Sequence, residues 1–382
     1  MTISDRRGAQ RAWTGPVVAA ALAGALAAGP GFRIAVPGYA WSFPRDHGSH
    51  EGYRTEWWYF TGQLEARDEP GRVFAYQFTV FRIGLSPERP ALRSEWAARN
   101  LIMDHAALAD LARGERRFSD VVRREAPLLG AFGAPSDPMI AKVLAPAGTS
   151  GLWTLGWNGG AFDFEMRDEE RRMAFRISTH PLKPLVLEGP DGYSLKGEDP
   201  GAASEYYSLT RLSTEGTIVL DGRTFLVRGE SWMDHEFGSS HLSSGQVGWD
   251  WFALRLDDGR DLMLYLMRRP DGTVDFRNGT LVDRAGVARN LAPSEWSVRS
   301  LASWKSPETG ATYPARWSIG VPSAGLRLEV RPDLSDQENR GRIPHAPFYW
   351  EGSVSVRDAD GRPAGRGFVE LTGYGDRNRP PV

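Results

Sequence analysis

Cysteine is absent from this chain of 382 residues. Disulfides, thiolate metal sites and a lipidated cysteine anchor are therefore excluded, and the fold must be held by its core alone. An excess of one charge is missing too: 46 Lys and Arg face 48 Asp and Glu, a formal net charge of -2. Without a basic run, no nucleic-acid partner is expected. No apolar stretch reaches the roughly 20 residues that a membrane-spanning helix needs. Neither a phosphate-cradling glycine loop ahead of a helix, nor a dinucleotide fingerprint, nor a nucleophile-elbow serine occurs, so serine-hydrolase chemistry of the usual α/β kind is disfavoured.

What is present begins with a leader. Residues 1–28 read as a secretory signal: Arg6, Arg7 and Arg11 are the positive end, 16–28 are apolar, and Ala25-Leu26-Ala27 offers a small-residue cleavage pattern. An exported protein, periplasmic or secreted, is expected, with an uncleaved N-terminal anchor as the alternative.

The densest signal is aromatic. Thr55-Glu56-Trp57-Trp58-Tyr59-Phe60-Thr61-Gly62 is followed by a turn and by Val73-Phe74-Ala75-Tyr76-Gln77-Phe78. A second copy, Gly248-Trp249-Asp250-Trp251-Phe252-Ala253-Leu254, leads through Asp257-Asp258-Gly259 to Asp261-Leu262-Met263-Leu264-Tyr265-Leu266-Met267. An aromatic strand, a glycine-containing turn and a second apolar-alternating strand make a β-hairpin. Its recurrence implies two related β units. A further echo closes each unit: Thr217 to Leu220, the turn Asp221-Gly222-Arg223 and Arg228-Gly229-Glu230 match Val354 to Val356, Asp360-Gly361-Arg362 and Arg366-Gly367-Phe368. Short alternating segments such as Ala161-Phe162-Asp163-Phe164-Glu165-Met166 fill the remainder, and 43 Gly and 26 Pro supply the turns. Residues 106–125, rich in Ala, Leu and Arg, are expected to form one or two short helical turns over a barrel mouth. Strand-only units with aromatic interiors close most simply as barrels, since closure removes exposed edges. The expected fold is all-β, two tandem antiparallel barrels with few short helices: residues 29–243 and 244–382, divided in the Ser/Gly-rich stretch 239–248. A pair of sandwiches is the plainer alternative.

Two polar clusters carry candidate chemistry. Trp232-Met233-Asp234-His235-Glu236-Phe237-Gly238 places an imidazole between two acids, a combination suited to fixing a histidine tautomer and moving protons. On an extended segment Asp234 and Glu236 share one face and His235 and Phe237 the other. A solvent-exposed strand-end histidine is the alternative. Asp46-His47-Gly48-Ser49-His50-Glu51 has two histidines three apart with flanking acids. Gly48 and Ser49 argue for a loop that caps a barrel and lends His47 or Glu56 to a pocket, and no metal site is expected. His105, His180, His241 and His345 read as surface or strand-end histidines.

Phe43-Pro44-Arg45-Asp46-His47-Gly48-Ser49-His50, Tyr53 to Gly62, Trp232 to Gly238, Tyr349-Trp350-Glu351-Gly352 and Thr372-Gly373-Tyr374-Gly375 together resemble the carotenoid 1,2-hydratase family. They are closest to its lipocalin-like branch of secreted hydrolases. The resemblance spans nearly the whole chain after the leader and implies lipocalin-like barrels. It also implies a cofactor-free hydration of a terminal alkene on an acyclic carotenoid. The family's histidine and the aromatic two residues later match His235 and Phe237, with Phe in place of Trp. Tyr265 matches the family's tyrosine, and Met267 stands where its aspartate would fall.

Hydrating an alkene needs a strong acid to protonate carbon, then water to capture the cation; a carboxyl kept neutral by an apolar pocket serves best. Asp234, Asp250 and Glu56 are candidate acids. Asp234 shares a strand face with Trp232 and is preferred, whereas Asp250 faces away from Trp249 and Trp251. His235 is the candidate base, Glu236 a second proton carrier, and Trp58, Trp232, Trp249 and Trp251 the cation-stabilising wall. The site is expected where His235 and an acid meet in an aromatic hollow. The partner is a hydrophobic small molecule, isoprenoid or lipid-like, with peripheral contact to a membrane or a membrane transport system. The alternative is a non-catalytic carrier using the same hollow.

Overall fold

The computed structural model describes residues 31–88, 94, 96–342, 347–375 and 378. The expected leader, residues 1–28, and His345 lie outside them.

The described chain is all-β. Among the described residues, helix is confined to four three-residue 3₁₀ turns. Two antiparallel sheets form, one from strands between residues 55 and 240, the other from strands between 248 and 371. Both share a central arrangement. In the first, Val73–Gly84, Thr55–Ala66, Arg223–Ser240 and Ala203–Leu220 lie side by side. In the second, Asp261–Arg268, Gly248–Leu256, Pro363–Leu371 and Tyr349–Arg357 repeat that order. The opening strand of each tryptophan hairpin thus pairs with the return strand of the closing hairpin, and the duplication seen in the sequence is also one of topology. The closing hairpin of the first unit turns on two residues, Asp221 (φ 53°) and Gly222 (φ 79°). Left-handed backbone at both positions matches the twist of the paired strands.

Each sheet curls around its own packed core into a barrel-like half. The first core contains Trp58, Phe60, Phe74, Phe78, Trp153, Phe164 and Phe175; the second contains Phe252, Leu254, Trp317, Trp350 and Val369. In the first half the sheet ends meet, where the Arg123 guanidinium donates to the Ala145 carbonyl at 3.2 Å. Each large side chain so buried contributes on the order of 2–3 kcal/mol.

Residues 106–125 are not helical. They belong to the strands Asn100–Asp110 and Glu115–Arg124, with Ala106 and Leu108 in the core and Ala107 and Ala109 on the opposite face. Eleven ladder partners along Val73–Gly84 override the helical propensity of alanine and leucine.

The central strands are apolar on both faces for a specific reason. Trp58 and Phe60 point into the first barrel, while Tyr59 points outward into a third cluster with Trp232, Trp251, Ala253, Met263, Tyr265 and Phe368. That cluster lies between the halves. Polar links bind the same interface: the Gln63 amide donates to Ser353 Oγ (3.0 Å) and the Gly367 carbonyl (2.8 Å), and Asp261 pairs with Lys183 (2.7 Å) and Arg211 (2.8 Å).

Candidate functional site between the two halves

The aromatic hollow lies between the halves, and both barrel interiors are filled by their own side chains. This corrects the expectation of a pocket inside a barrel. The cavity has two adjoining compartments. One, beside Asp234, spans about 680 Å³ including space open to solvent and is walled by Trp57, Tyr59, Trp249, Trp251, Tyr206, Tyr265 and Met267, with Lys196, Asp234, Glu236, His241, Glu351 and Glu370 among its polar residues. The other, beside His105, spans about 920 Å³ on the same measure and adds Met103, His105, Phe118, Val122 and Phe348. Trp57, Phe81, Trp249, Tyr349 and Glu370 belong to both and mark the junction.

Strand alternation decides which residues reach it. Along Arg223–Ser240, Asp234 and Glu236 face the cavity, while His235 and Phe237 face the mouth of the first barrel. Of the expected site residues, Asp234, Glu236, Tyr265, Trp249 and Trp251 therefore come together. Trp232 stands behind Asp234 and donates to its Oδ1 at 2.7 Å. His235, Trp58, His47 and Phe237 gather on the opposite face; Glu56 joins them and also borders the compartment beside His105. The expected meeting of His235 with an acid in the aromatic hollow does not occur, because a period of two sends neighbouring residues to opposite faces. Asp250 likewise points away, pairing with Arg268 at 2.7 Å and accepting from the Tyr374 hydroxyl at 2.9 Å.

Asp234 is buried, and Ser208 Oγ (2.5 Å) and Trp232 Nε1 both donate to its Oδ1. Removal from water outweighs these bonds and lifts the carboxyl well above the usual range. Glu236, two residues on, is the opposite case. Burial alone would raise it, but Lys196 Nζ at 2.7 Å reverses the effect and holds the carboxyl down at about 2. Lys196 also donates to Ser194 Oγ at 3.1 Å, and its ammonium sits 4.4 Å from the centre of the Tyr265 ring and 5.0 Å from that of Tyr206. The Tyr265 hydroxyl donates to the Leu195 carbonyl and lies 3.1 Å from Ser194 Oγ. One wall thus carries one carboxyl raised by burial and one lowered by a lysine, the separation that acid–base chemistry requires.

The opposite wall belongs to the second half. Glu370 accepts from Trp249 Nε1 at 3.0 Å, and burial raises its carboxyl to about 7. Glu351, its direct partner across the strand pair, is raised further, by burial and by the Glu370 charge. These two acids, with Lys196, Tyr59 and Tyr206, were not singled out from the sequence. Period-two alternation through the quoted Tyr349-Trp350-Glu351 places Tyr349 and Glu351 on one face, but nothing in it says that face is a cavity. His105 and His241, expected at the surface or at strand ends, are cavity-wall residues. His105 meets the Tyr349 hydroxyl at 2.7 Å, and His241 is buried against Trp57 with ring centres 4.5 Å apart. His180 is exposed at the end of Met173–Pro181, as expected.

On the far side of Arg223–Ser240, a buried hub centres on Glu56. Its Oε1 meets His235 Nε2 (2.9 Å) and His50 Nδ1 (2.7 Å), and its Oε2 accepts from Arg82 at 2.7 Å. Burial would raise Glu56, but Arg82 and His50 more than reverse this and keep it well below the carboxylate range. His50 is raised: the nearby Glu56 and Asp46 overcome its burial. Ligand atoms of His50, Glu56 and His235 lie within 4.8 Å of one another. The Arg82 guanidinium, fully buried on the same carboxylate, already supplies the counter-charge that a cation would bring. The arrangement is an ion-pair hub that fastens the 45–50 loop to the barrel. His47 completes it, with Nδ1 2.7 Å from the Tyr207 hydroxyl and its carbonyl accepting from Trp58 Nε1 at 2.9 Å.

The AttH-like family matches residues 34–374 of the chain. A crystal structure of an AttH protein from Nitrosomonas europaea is similar throughout, with a TM-score of 0.78 and 32% identity over 90% of this chain and 100% of that one. Kievitone hydratase from Nectria haematococca has a similar fold, with a TM-score of 0.61 and 14% identity over 89% of this chain and 96% of that one. In sequence, the dehydratase asqC of Emericella nidulans is 21% identical over 191 residues, 48% of this chain and 53% of that protein. The chain thus matches about half the length of that curated relative.

Proposed function

The chain belongs to the AttH-like family, and on that premise we propose that it is a hydratase-type enzyme that adds water to, or removes it from, an apolar substrate held between its two halves. The observation that carries this reading is that Asp234 and Glu236 share one cavity wall facing indole and phenol rings, the first carboxyl raised by burial and the second held down by Lys196. Two relatives named for water addition or removal, kievitone hydratase and the dehydratase asqC, support the reaction class. In the hydration direction Asp234 gives its proton to an alkene carbon. Trp249 and Trp251 stabilise the resulting cation by about 1–2 kcal/mol each. Water adds to the cation, and Glu236 orients that water and takes its proton. Lys196 keeps Glu236 ionised for this step. Tyr265 holds the cavity floor beside Lys196. His235 acts from behind the wall, positioning the strand that carries both acids, and the substrate fitting so apolar a hollow is isoprenoid or lipid-like. With the leader, this activity belongs outside the cytoplasm, where peripheral contact with a membrane would deliver such a substrate.

A non-catalytic carrier is the second reading, favoured by Met267, an apolar thioether on the cavity wall where the resembled family has an acid. The discriminating experiment incubates the purified protein with an acyclic carotenoid such as lycopene, and with shorter isoprenoid alkenes, in ¹⁸O-labelled water. The enzyme reading expects labelled alcohol from the wild type and a loss of at least about 100-fold in D234N, the usual contribution of a general acid. Binding without product, indifferent to D234N, establishes the carrier.

A further inference from the structure

The wall contributed by the second half holds two carboxyls that the mechanism above does not use. Glu351 on Tyr349–Arg357 and Glu370 on Pro363–Leu371 are direct register partners in an antiparallel pair. Directly opposed residues carry their Cβ atoms about 4.5–5.5 Å apart on the same face, close enough for the charge of one carboxyl to hold the proton on the other. Both line the compartment beside Asp234, and Glu370 also lines the one beside His105. Glu351 is 1% exposed, and among the described residues neither of its oxygens meets a hydrogen-bond partner. The hydroxyl of Tyr59, 6% exposed on the facing strand, likewise has no partner within hydrogen-bond geometry, although it lies close enough to Glu351 to favour the ionised form of that carboxyl. A buried carboxyl without a hydrogen-bond partner destabilises the fold that holds it. Retaining one that is aimed into a cavity points to a ligand group that satisfies it.

We propose that Glu351 and Glu370 form a coupled carboxyl pair presenting one mobile proton to the cavity, a second proton donor and acceptor for the substrate at the junction of the two compartments. The proposal rests on the reading of this cavity as a reaction site. Two ionised carboxylates cannot coexist at this spacing out of water, so the pair loses its protons in two separated steps. The ordering agrees with their surroundings: Glu370, bonded to Trp249, ionises first near 7, and its charge then holds the proton on Glu351. For a substrate whose reacting carbon lies against this second wall rather than against Asp234, the pair's proton forms the new C–H bond with the alkene π electrons. Water forms the C–O bond to the cation and returns a proton to the pair, which ends as it began. Dehydration is the same sequence reversed, the pair protonating the departing hydroxyl.

The test is a ¹³C NMR titration of the intact protein labelled at glutamate carboxyl carbons, in the wild type, E351Q and E370Q. The wild type should show two coupled steps, one near pH 7 and one higher. E351Q should keep a single step near 7, and in E370Q the Glu351 step should fall by at least one pH unit. If E370Q does not fold, the two-step to one-step change in E351Q carries the test. Independent titration of the two groups, or a Glu351 already ionised at pH 6, overturns the pair. With a turned-over alkene, both variants should lose at least 100-fold in kcat; loss of under threefold in both also overturns it. Coupled titration without turnover of any alkene by the wild type overturns the hydratase reading and leaves the proton-holding pair standing.

Discussion

Replacing Lys196 by methionine isolates the electrostatics on which the first wall depends. Its ammonium is the nearest cation to Glu236, at 2.7 Å, and both groups are nearly inaccessible. The lysine holds the Glu236 carboxyl at about 2 against the pull of burial. The displacement from an ordinary carboxylate value near 4.3 is somewhat over two pH units, or about 3 kcal/mol of stabilisation at neutral pH. A depressed carboxyl stabilises fully above its unfolded pKa and loses that contribution as pH falls through the folded value. The wild type should therefore hold this contribution from about pH 5 upward and lose it between about pH 5 and 2. In K196M burial pushes Glu236 up, opposed only in part by His241. A raised carboxyl favours the fold at low pH, and the advantage is lost as pH climbs above about 4.3. The variant should be about 3–5 kcal/mol less stable at pH 8, the cost of stranding a buried charge, and from pH 8 down to pH 5 should gain more stability than the wild type, which gains only what its raised carboxyls such as Glu370 confer. Urea unfolding followed by tryptophan fluorescence at both values reads this. A variant within 1 kcal/mol of the wild type at pH 8, with an unchanged pH slope, refutes Lys196 as the counter-ion.

Three further outcomes follow from the same geometry. E56Q leaves Arg82 buried without its counter-charge and should cost about 3–5 kcal/mol in urea unfolding, while an apolar fluorophore still binds with near wild-type affinity at the lowest temperatures where the variant is folded. W251A removes a cavity wall that packs edge-on against Tyr59 at 5.1 Å and donates to the Tyr206 hydroxyl at 3.3 Å. It should weaken anilinonaphthalene binding about tenfold by fluorescence titration and lower stability by about 3 kcal/mol. Because Glu370 is raised to about 7, any rate that needs its proton should fall as pH rises through that value, and the falling limb should vanish in E370Q.

The all-β class, the duplicated hairpins and the turn at Asp221-Gly222 were legible because glycine placement and period-two alternation act locally. The same alternation correctly separated Asp234 and Glu236 from His235 and set Asp250 apart from Trp249 and Trp251. What the sequence could not disclose is that the central strands have two buried faces. Trp57-Trp58-Tyr59-Phe60 reads as one aromatic wall, yet Trp58 and Phe60 plug the first barrel while Trp57 and Tyr59 line the space between the halves. That is a long-range packing fact. For the same reason His235, conspicuous in the sequence beside two acids, proves to bond Glu56, which lies 179 residues away. Lys196, Glu351 and Glu370 had no local signal of function, since their roles arise only where separate strands bring them to one cavity. The helical expectation for 106–125 failed because ladder pairing outweighs alanine's intrinsic preference.

The central claim is one of location: the chemistry sits between the two halves. A crystal structure with a bound brominated acyclic isoprenoid alcohol tests it directly through the anomalous bromine signal. The account predicts bromine in the cavity bounded by Trp249, Trp251 and Tyr59, with the hydroxyl toward Asp234 or Glu370. Bromine inside either barrel, or at the His235–Glu56 hub, contradicts it.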